Sequence, residues 1–169
     1  AESRDRNFSF PDEWEQHQGT IMIFPSTYSS QEPAKQLQNA FAAVANAIQK
    51  NEQVYVYVHA NDLAQAKHLL SPKVRLRSGN IYRVDWARDT APMIVSNKKG
   101  ERRAICFQFN GWGKKYKGWQ KDKGINKAIA KDLNIPTITS KFVLEGGAIE
   151  IGSSKAGLTG IVTTQCVLN

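Results

Sequence analysis

The run Gln53-Val54-Tyr55-Val56-Tyr57-Val58 carries a β-branched or aromatic residue at every position after the first. Such a run predicts a strand with two apolar faces, which has to be covered on both sides. A helical pattern of apolar residues over positions 33–50 precedes it, and a shorter helical pattern over positions 61–70 follows it. Together these patterns predict an α/β protein whose helices pack on a sheet.

Later strands are predicted to come in pairs. A hairpin pattern at residues 93–96 and 103–109 surrounds the turn Asn97-Lys98-Lys99-Gly100, and a helix over residues 121–134 follows. The other predicted strands are at residues 20–25, 74–77, 135–139, 142–144, 148–151 and 160–164. Paired strands exclude a plain doubly wound fold and favour repeated ββαβ-like units. With 41% hydrophobic and 22% charged residues, residues 1–169 are expected to fold as a single domain.

Charged side chains cluster in Asp85-Trp86-Ala87-Arg88-Asp89-Thr90-Ala91-Pro92, between two apolar segments. Charges in such a place are costly unless they are exposed or paired. Because Pro92 cannot donate to a strand ladder, we expect a loop at a strand end, where sites tend to be built. The alternative is a structural pair between Arg88 and an aspartate, beside a packed Trp86.

A further carboxylate ends an apolar strand in Leu144-Glu145-Gly146-Gly147, where two glycines allow a backbone or a ligand to approach closely. Together with Asp89 it supplies the paired carboxylates that a planar cation such as guanidinium needs, and Trp86 could lie on the face of that cation. The alternative is a β-bulge or tight turn with a solvated glutamate.

Lysines are concentrated between residues 113 and 132, where seven of them interleave with Trp112, Tyr116 and Trp119. With a net charge of +8, this pattern could serve a polyanion such as single-stranded nucleic acid. The alternative is a solvated lysine-rich loop and helix face, and we prefer it because no nucleic-acid-binding module accompanies the lysines.

Metal and cofactor chemistry is not expected, because the three histidines and two cysteines have no metal-like spacing. Cys106 lies in an apolar strand pattern, which predicts a buried, unreactive thiol. A disulfide between Cys106 and Cys166 is left open. No apolar run is long enough to span a membrane.

Five stretches jointly resemble the N-terminal half of the agmatine deiminase family, which includes bacterial-type peptidylarginine deiminases of the guanidino-group-modifying pentein superfamily. In chain order they are Pro11-Asp12-Glu13-Trp14-Glu15-Gln16-His17-Gln18-Gly19-Thr20 with Phe24-Pro25, Trp86-Ala87-Arg88-Asp89-Thr90-Ala91-Pro92, Phe109-Asn110-Gly111-Trp112-Gly113-Lys114 with Trp119, Val143-Leu144-Glu145-Gly146-Gly147, and Thr163-Thr164-Gln165-Cys166-Val167-Leu168-Asn169. Ala91 departs from the family, which usually has glycine there.

The resemblance implies a pentein, an α/β propeller of ββαβ units, of which this chain is about half. It also implies a hydrolase that converts agmatine to N-carbamoylputrescine, or peptidyl-arginine to citrulline, with release of ammonia. By motif, Asp89 and Glu145 are catalytic and bind the guanidinium group, Trp86 is an aromatic wall, and Trp112 is a further substrate-binding residue. The family's nucleophilic cysteine, and the histidine that acts as acid and base, lie beyond residue 169.

The expected partners are therefore a guanidine substrate and the C-terminal half of the same enzyme, and a homodimer is left open. A non-catalytic half-pentein that binds a guanidinium ligand or a partner chain is the alternative from another class. A basic chain that begins at Ala1 favours an exported protein over a cytoplasmic one, and hence peptidyl-arginine over agmatine.

Overall fold

The computed structural model describes residues 8–12, 14–27, 34–150 and 161–162. The helices are α1 (Ala34–Ile48), α2 (Leu63–Leu69), α3 (Ala87–Thr90), the single turn α4 (Gly111–Lys114) and α5 (Ile125–Asp132), and the strands are β1 (Thr20–Ile23), β2 (Val54–His59), β3 (Arg75–Gly79), β4 (Met93–Ser96), β5 (Arg102–Gln108), β6 (Thr137–Val143), β7 (Ile149–Glu150) and β8 (Ile161–Val162). The chain divides into a contiguous unit, Gln16–Ala87, and a split unit, Ala1–Glu15 with Arg88–Asn169. The single domain stays a prediction.

The contiguous unit has a parallel sheet in the order β1-β2-β3. One face of the central strand β2, with Val54, Val56 and Val58, is buried in a core that also holds residues of α1 and α2. On its other face Tyr57 is fully buried, and its ring centroid lies 5.1 Å from that of Tyr82. The prediction that this strand is covered on both sides is therefore confirmed.

Buried polar groups gather where β1 and β2 end. The Ser26 hydroxyl donates to Asp62 Oδ2 at 3.0 Å, and both residues are buried. Asp62 occupies the N-cap position of α2 without making a side-chain capping bond. Its carboxylate serves the longer-range contact to Ser26 instead, because a buried hydroxyl needs an acceptor.

The split unit contains one ββαβ arrangement. Strands β4 and β5 form the predicted antiparallel hairpin, and β5 pairs in parallel with β6 after the chain passes through α5. Ala130 of α5 and Ile135 pack on Ala104 of β5 in a small core. The short strands β7 and β8 pair antiparallel.

Two predicted elements of the split unit differ from the structure. The helix expected over residues 121–134 is α5 alone, because Gly124 takes a left-handed φ of 90° and Trp119–Asp122 form a separate 3₁₀ turn. The strands expected at residues 135–139 and 142–144 are one strand, β6, with a register shift in its pairing to β5 between Cys106 and Gln108. A bulge of this kind absorbs the polar interruption that suggested two strands.

The two edges of this sheet differ. Ser9 forms an isolated antiparallel bridge with Ser96 of β4, with N–H to carbonyl distances of 2.9 and 3.0 Å. The outer edge of β6 has no strand partner among the residues described here, and on it Ile138 is 46% and Phe142 77% exposed. The sequence match at residues 163–169, with Cys166, lies outside the described residues.

Candidate functional site

The charged cluster at residues 85–92 contains one helical turn, α3, rather than only the expected loop. The turn begins after Asp85, whose carbonyl accepts from the Ala87 N–H at 2.9 Å. Asp85 is half-buried, and this burial raises the pKa of its carboxyl group, with its own backbone N–H acting in the opposite direction. Trp86 is 63% exposed. Both residues belong to the contiguous unit.

Asp89 lies in the split unit, and its carboxylate is held at both oxygens. Oδ1 accepts from the Gly147 N–H at 3.0 Å, and Oδ2 accepts from the Trp112 indole N–H at 3.1 Å. Both donors are neutral, and Asp89 has no ion pair within the residues that the structure describes. For Asp89, the alternative of a structural pair between Arg88 and an aspartate is therefore wrong.

The two glycines are required by the close packing around Asp89. A Cβ atom on Gly146 would lie 2.1 Å from the Arg88 carbonyl oxygen, and one on Gly147 would lie 2.5 Å from Asp89 Oδ1. Both distances are far below a van der Waals contact, so no larger residue fits without displacement. The predicted close approach at these glycines is thus confirmed, and the approaching backbone is that of α3.

Glu145 is buried at 4% exposure, so the alternative of a solvated glutamate is wrong. Its backbone carbonyl accepts from the Ala148 N–H at 3.0 Å, which starts the 3₁₀ turn Gly146–Ala148. Its carboxyl group has no hydrogen bond or ion pair to any described residue. Burying such a group is costly unless donors or a cation come to face it.

Trp112 is packed among other aromatic side chains. The side chain is half-buried, and its ring meets Phe109 edge-to-face at 5.2 Å between centroids. Its backbone is in the left-handed region, with φ 53° and ψ 49°. Packing on neighbouring aromatic rings and the bond to Asp89 together hold it in place.

Asn110 is a residue of this site that sequence reasoning missed. Its side chain is buried at 7% exposure, and its Oδ1 accepts from the Gly113 N–H at 2.8 Å. The available signal was the sequence Asn110-Gly111, since an asparagine before glycine marks a turn whose side chain bonds to its own backbone.

A family model for Porphyromonas-type peptidyl-arginine deiminases matches residues 9–169. The chain belongs to this family. A Mycoplasma capricolum relative is 38% identical over 169 residues, covering 96% of this chain and 45% of the relative. The agmatine deiminase of Pseudomonas aeruginosa is 35% identical over 178 residues, with 98% of this chain and 46% of that protein covered.

Among solved structures, the chain is similar to the agmatine deiminase of Enterococcus faecalis, with a TM-score of 0.86 and 27% identity. That comparison covers 97% of this chain and 46% of the other. The prediction of about half of a pentein is confirmed by this match. The chain spans about half the length of the relatives that it matches.

The described part of this deiminase-family chain contains other candidate groups. Cys106 is buried, as predicted, and burial raises the pKa of its thiol while Lys127 lowers it. That this thiol is unreactive stays a prediction. The described residues contain no group of three side chains able to hold a metal ion. Nor does any described helix have the length and apolar character needed to cross a membrane.

Proposed function

We propose that the complete protein is an agmatine deiminase, and that this chain supplies the part of the site that binds the guanidinium group. The Asp89 carboxylate carries the proposal. Both of its oxygens accept from neutral donors, and no cation pairs with it in the described part of the chain. A carboxylate held in this way is oriented but not neutralised, so a cationic substrate meets its full charge.

Glu145 adds a second carboxyl group to the proposed site. It is buried, and it precedes by two residues the Gly147 amide that holds Asp89. Two carboxyl groups match the N–H pairs of a planar guanidinium. We infer that Asp89 and Glu145 fix the cation so that its central carbon faces a nucleophile, and that substrate binding compensates their burial.

The reaction then needs a nucleophile and a proton carrier. A thiolate adds to the guanidinium carbon, a terminal C–N bond breaks, and the nitrogen leaves as ammonia after protonation. Water then displaces the thiol and leaves N-carbamoylputrescine. We place the cysteine and the histidine for these steps on a C-terminal segment, because this chain spans 46% of the Pseudomonas aeruginosa relative. Residues 1–169 are then half of one catalytic domain, with that segment as their partner.

We prefer agmatine over peptidyl-arginine as the substrate because of the names of two similar proteins. The proteins from Pseudomonas aeruginosa and Enterococcus faecalis are both named agmatine deiminases. Peptidyl-arginine is the second candidate, favoured by the description of the family model. We also propose that Trp86 binds substrate, since an indole that is 63% exposed offers its ring face to a cation.

Asp89→Asn in the complete protein tests the proposal. The change keeps the shape of the side chain and removes the charge, so kcat/KM for agmatine should fall at least about a hundredfold with the fold retained. Asp132→Asn is the matched control on the exposed end of α5 and should keep normal turnover.

Wild-type turnover in Asp89→Asn would contradict the assignment of this residue. A wild-type protein that releases ammonia from neither agmatine nor an arginine peptide would defeat the enzymatic proposal. If that protein still bound agmatine, the non-catalytic alternative would replace it.

A further inference from the structure

The turn Gly111–Lys114 is left-handed. Four successive residues have positive φ: 68° at Gly111, 53° at Trp112, 78° at Gly113 and 64° at Lys114. The Lys114 N–H donates to the Asn110 carbonyl at 2.8 Å, and the Lys115 N–H to that of Gly111 at 2.9 Å. These are bonds between residues four apart, so the segment is one turn of left-handed helix.

A left-handed conformation is disfavoured for any residue with a Cβ, and Trp112 and Lys114 both have one. Such conformations persist only where the surroundings enforce them, and they concentrate at functional sites. Asn110 enforces this one through its bond to the Gly113 N–H. A Cβ on Gly111 would lie 2.6 Å from Trp119 Cβ, so the turn is also packed tightly from outside.

The left-handed turn gives the Trp112 indole its position. Its ring lies between Phe109, with centroids 5.2 Å apart, and Tyr116, with centroids 5.8 Å apart. From there its N–H reaches Asp89 Oδ2 at 3.1 Å. Reversing the hand of the turn would project the side chain from the other side of the backbone and break this bond.

Asp89 therefore has one fixed donor on each oxygen, the Gly147 amide and the Trp112 indole. A carboxylate with a single donor can rotate about its last bond, and one with a donor on each oxygen cannot do so without breaking a hydrogen bond. A guanidinium group that pairs with Asp89 needs the carboxylate in one plane, since paired N–H groups are directional.

We propose that Trp112 is a positioning residue for Asp89, delivered by the left-handed turn, and not a residue that stacks on the substrate. The expected effect on guanidinium binding rests on the proposed function. The hydrogen bond itself can be examined independently of turnover.

Trp112→Phe in the complete protein is the decisive variant, because phenylalanine keeps an aromatic ring beside Phe109 and Tyr116 and removes the indole N–H together with the second ring of the indole. A hydrogen bond to a charged group of this kind corresponds to a fall in kcat/KM of about tenfold to a hundredfold. Trp119→Phe is the matched control, since it removes another indole of the same segment and keeps the Cβ and Cγ atoms that face Gly111. We expect its kcat/KM to stay within about twofold of wild type.

The readout that separates positioning from packing is the indole N–H resonance of Trp112 in protein with ¹⁵N-labelled tryptophan, assigned from single Trp-to-Phe variants. Asp89→Asn should shift this resonance and leave that of Trp119 in place. Should Trp112→Phe fail to fold, the resonance is assigned by elimination and the Asp89→Asn comparison decides.

An unmoved Trp112 resonance in Asp89→Asn, or near-normal kcat/KM in a folded Trp112→Phe, would overturn the inference. A wild-type protein without turnover would instead overturn the proposed function, and the resonance shift would still decide the role of Trp112.

Discussion

At the scale of single residues, the geometry of Asp89 depends on partners far along the chain. The Trp112 indole is 23 residues away and the Gly147 amide 58 residues away. Neither donor belongs to the local motif in which Asp89 stands. The local motif thus supplies the charge of Asp89. The orientation of its carboxylate depends on two further segments of the chain, which supply the Trp112 and Gly147 donors.

Gly146→Ala and Gly147→Ala should separate stability from activity. In Gly146→Ala the new Cβ meets the Arg88 backbone oxygen, which cannot move aside, so the free energy of unfolding should fall by about 2 kcal/mol or more. In Gly147→Ala it meets the Asp89 carboxylate, which can turn away, so kcat/KM for agmatine should fall at least about tenfold with little loss of stability.

Denaturant unfolding and steady-state kinetics on the complete protein measure the two effects. Equal losses of stability in both variants, with equal activity per folded molecule, would show that the glycine pair has only a packing role.

Sequence reasoning found the carboxylates and the need for glycine at this site, because charge and missing side chains are visible in a local motif. It could not find that Glu145 is buried, since burial depends on what packs over residue 145. It also left open an Arg88 pair that the structure excludes for Asp89. Which side chains form hydrogen bonds or ion pairs depends on distances between residues that are far apart in the sequence, and only the folded backbone defines these distances.

At the scale of elements, the segment from Asn110 to Asp122 acts as a support for the left-handed turn. Tyr116 packs against the Trp112 ring, and its hydroxyl donates to Asp122 Oδ2 at 2.6 Å. Asp122 is buried in the 3₁₀ turn Trp119–Asp122. The bond therefore ties the left-handed turn to the next element of the chain.

Alkaline pH should weaken this support. Burial, the hydrogen bond to Asp122 and the charge of Asp122 all raise the pKa of Tyr116. Because the raised pKa favours the protonated phenol in the folded state, its contribution to stability is complete below about pH 10, the unfolded value, and is lost as the pH rises further.

Tyr116→Phe should lower the free energy of unfolding by about 1–2 kcal/mol at pH 7 and flatten its decline above about pH 10. Denaturant unfolding across this pH range gives both quantities. A Tyr116 phenol that ionises before the protein unfolds, seen in an ultraviolet titration against the variant, would contradict the prediction.

The left-handed conformation of the turn Gly111–Lys114 could not be predicted from the sequence. The glycines at positions 111 and 113 indicated a turn, but Trp112 and Lys114 adopt positive φ only under tertiary constraint. Strands and long helices were easier, because hydrophobic periodicity identified α1, β2 and the hairpin of β4 and β5 within a few residues of their ends. Periodicity carries no information about a single left-handed turn.

At the scale of the whole molecule, the strand β6 has an exposed edge, and this chain is about half as long as its relatives. Phe142 and Ile138 lie on β6, whose outer edge is unpaired within the described part of the chain. An apolar edge strand in water invites pairing with another chain or segment. The relatives are about twice as long as this chain, and we propose that the additional segment of the complete protein covers this edge.

Phe142→Lys tests whether a further segment of the complete protein covers β6. In the complete protein a covered Phe142 should contribute about 2–3 kcal/mol to the free energy of unfolding, which the variant loses. In the 169-residue chain alone the same change should cost less than about 0.5 kcal/mol and reduce self-association. Gln120→Lys, at an exposed position of the same unit, controls for the added charge.

Equal effects of Phe142→Lys in the two proteins would mean that no further segment of the complete protein covers β6. Denaturant unfolding and sedimentation velocity provide the comparison.

The bridge between Ser9 and Ser96 also has a consequence for the order of folding. The two residues are 87 positions apart, and closing a flexible loop of that length costs about 4 kcal/mol of chain entropy. The contiguous unit lies wholly inside this loop. Once it has folded, much of the loop has already lost its freedom, so the remaining closure is easier. We therefore expect residues 16–87 to fold first during synthesis, before the hairpin with which Ser9 pairs has been made.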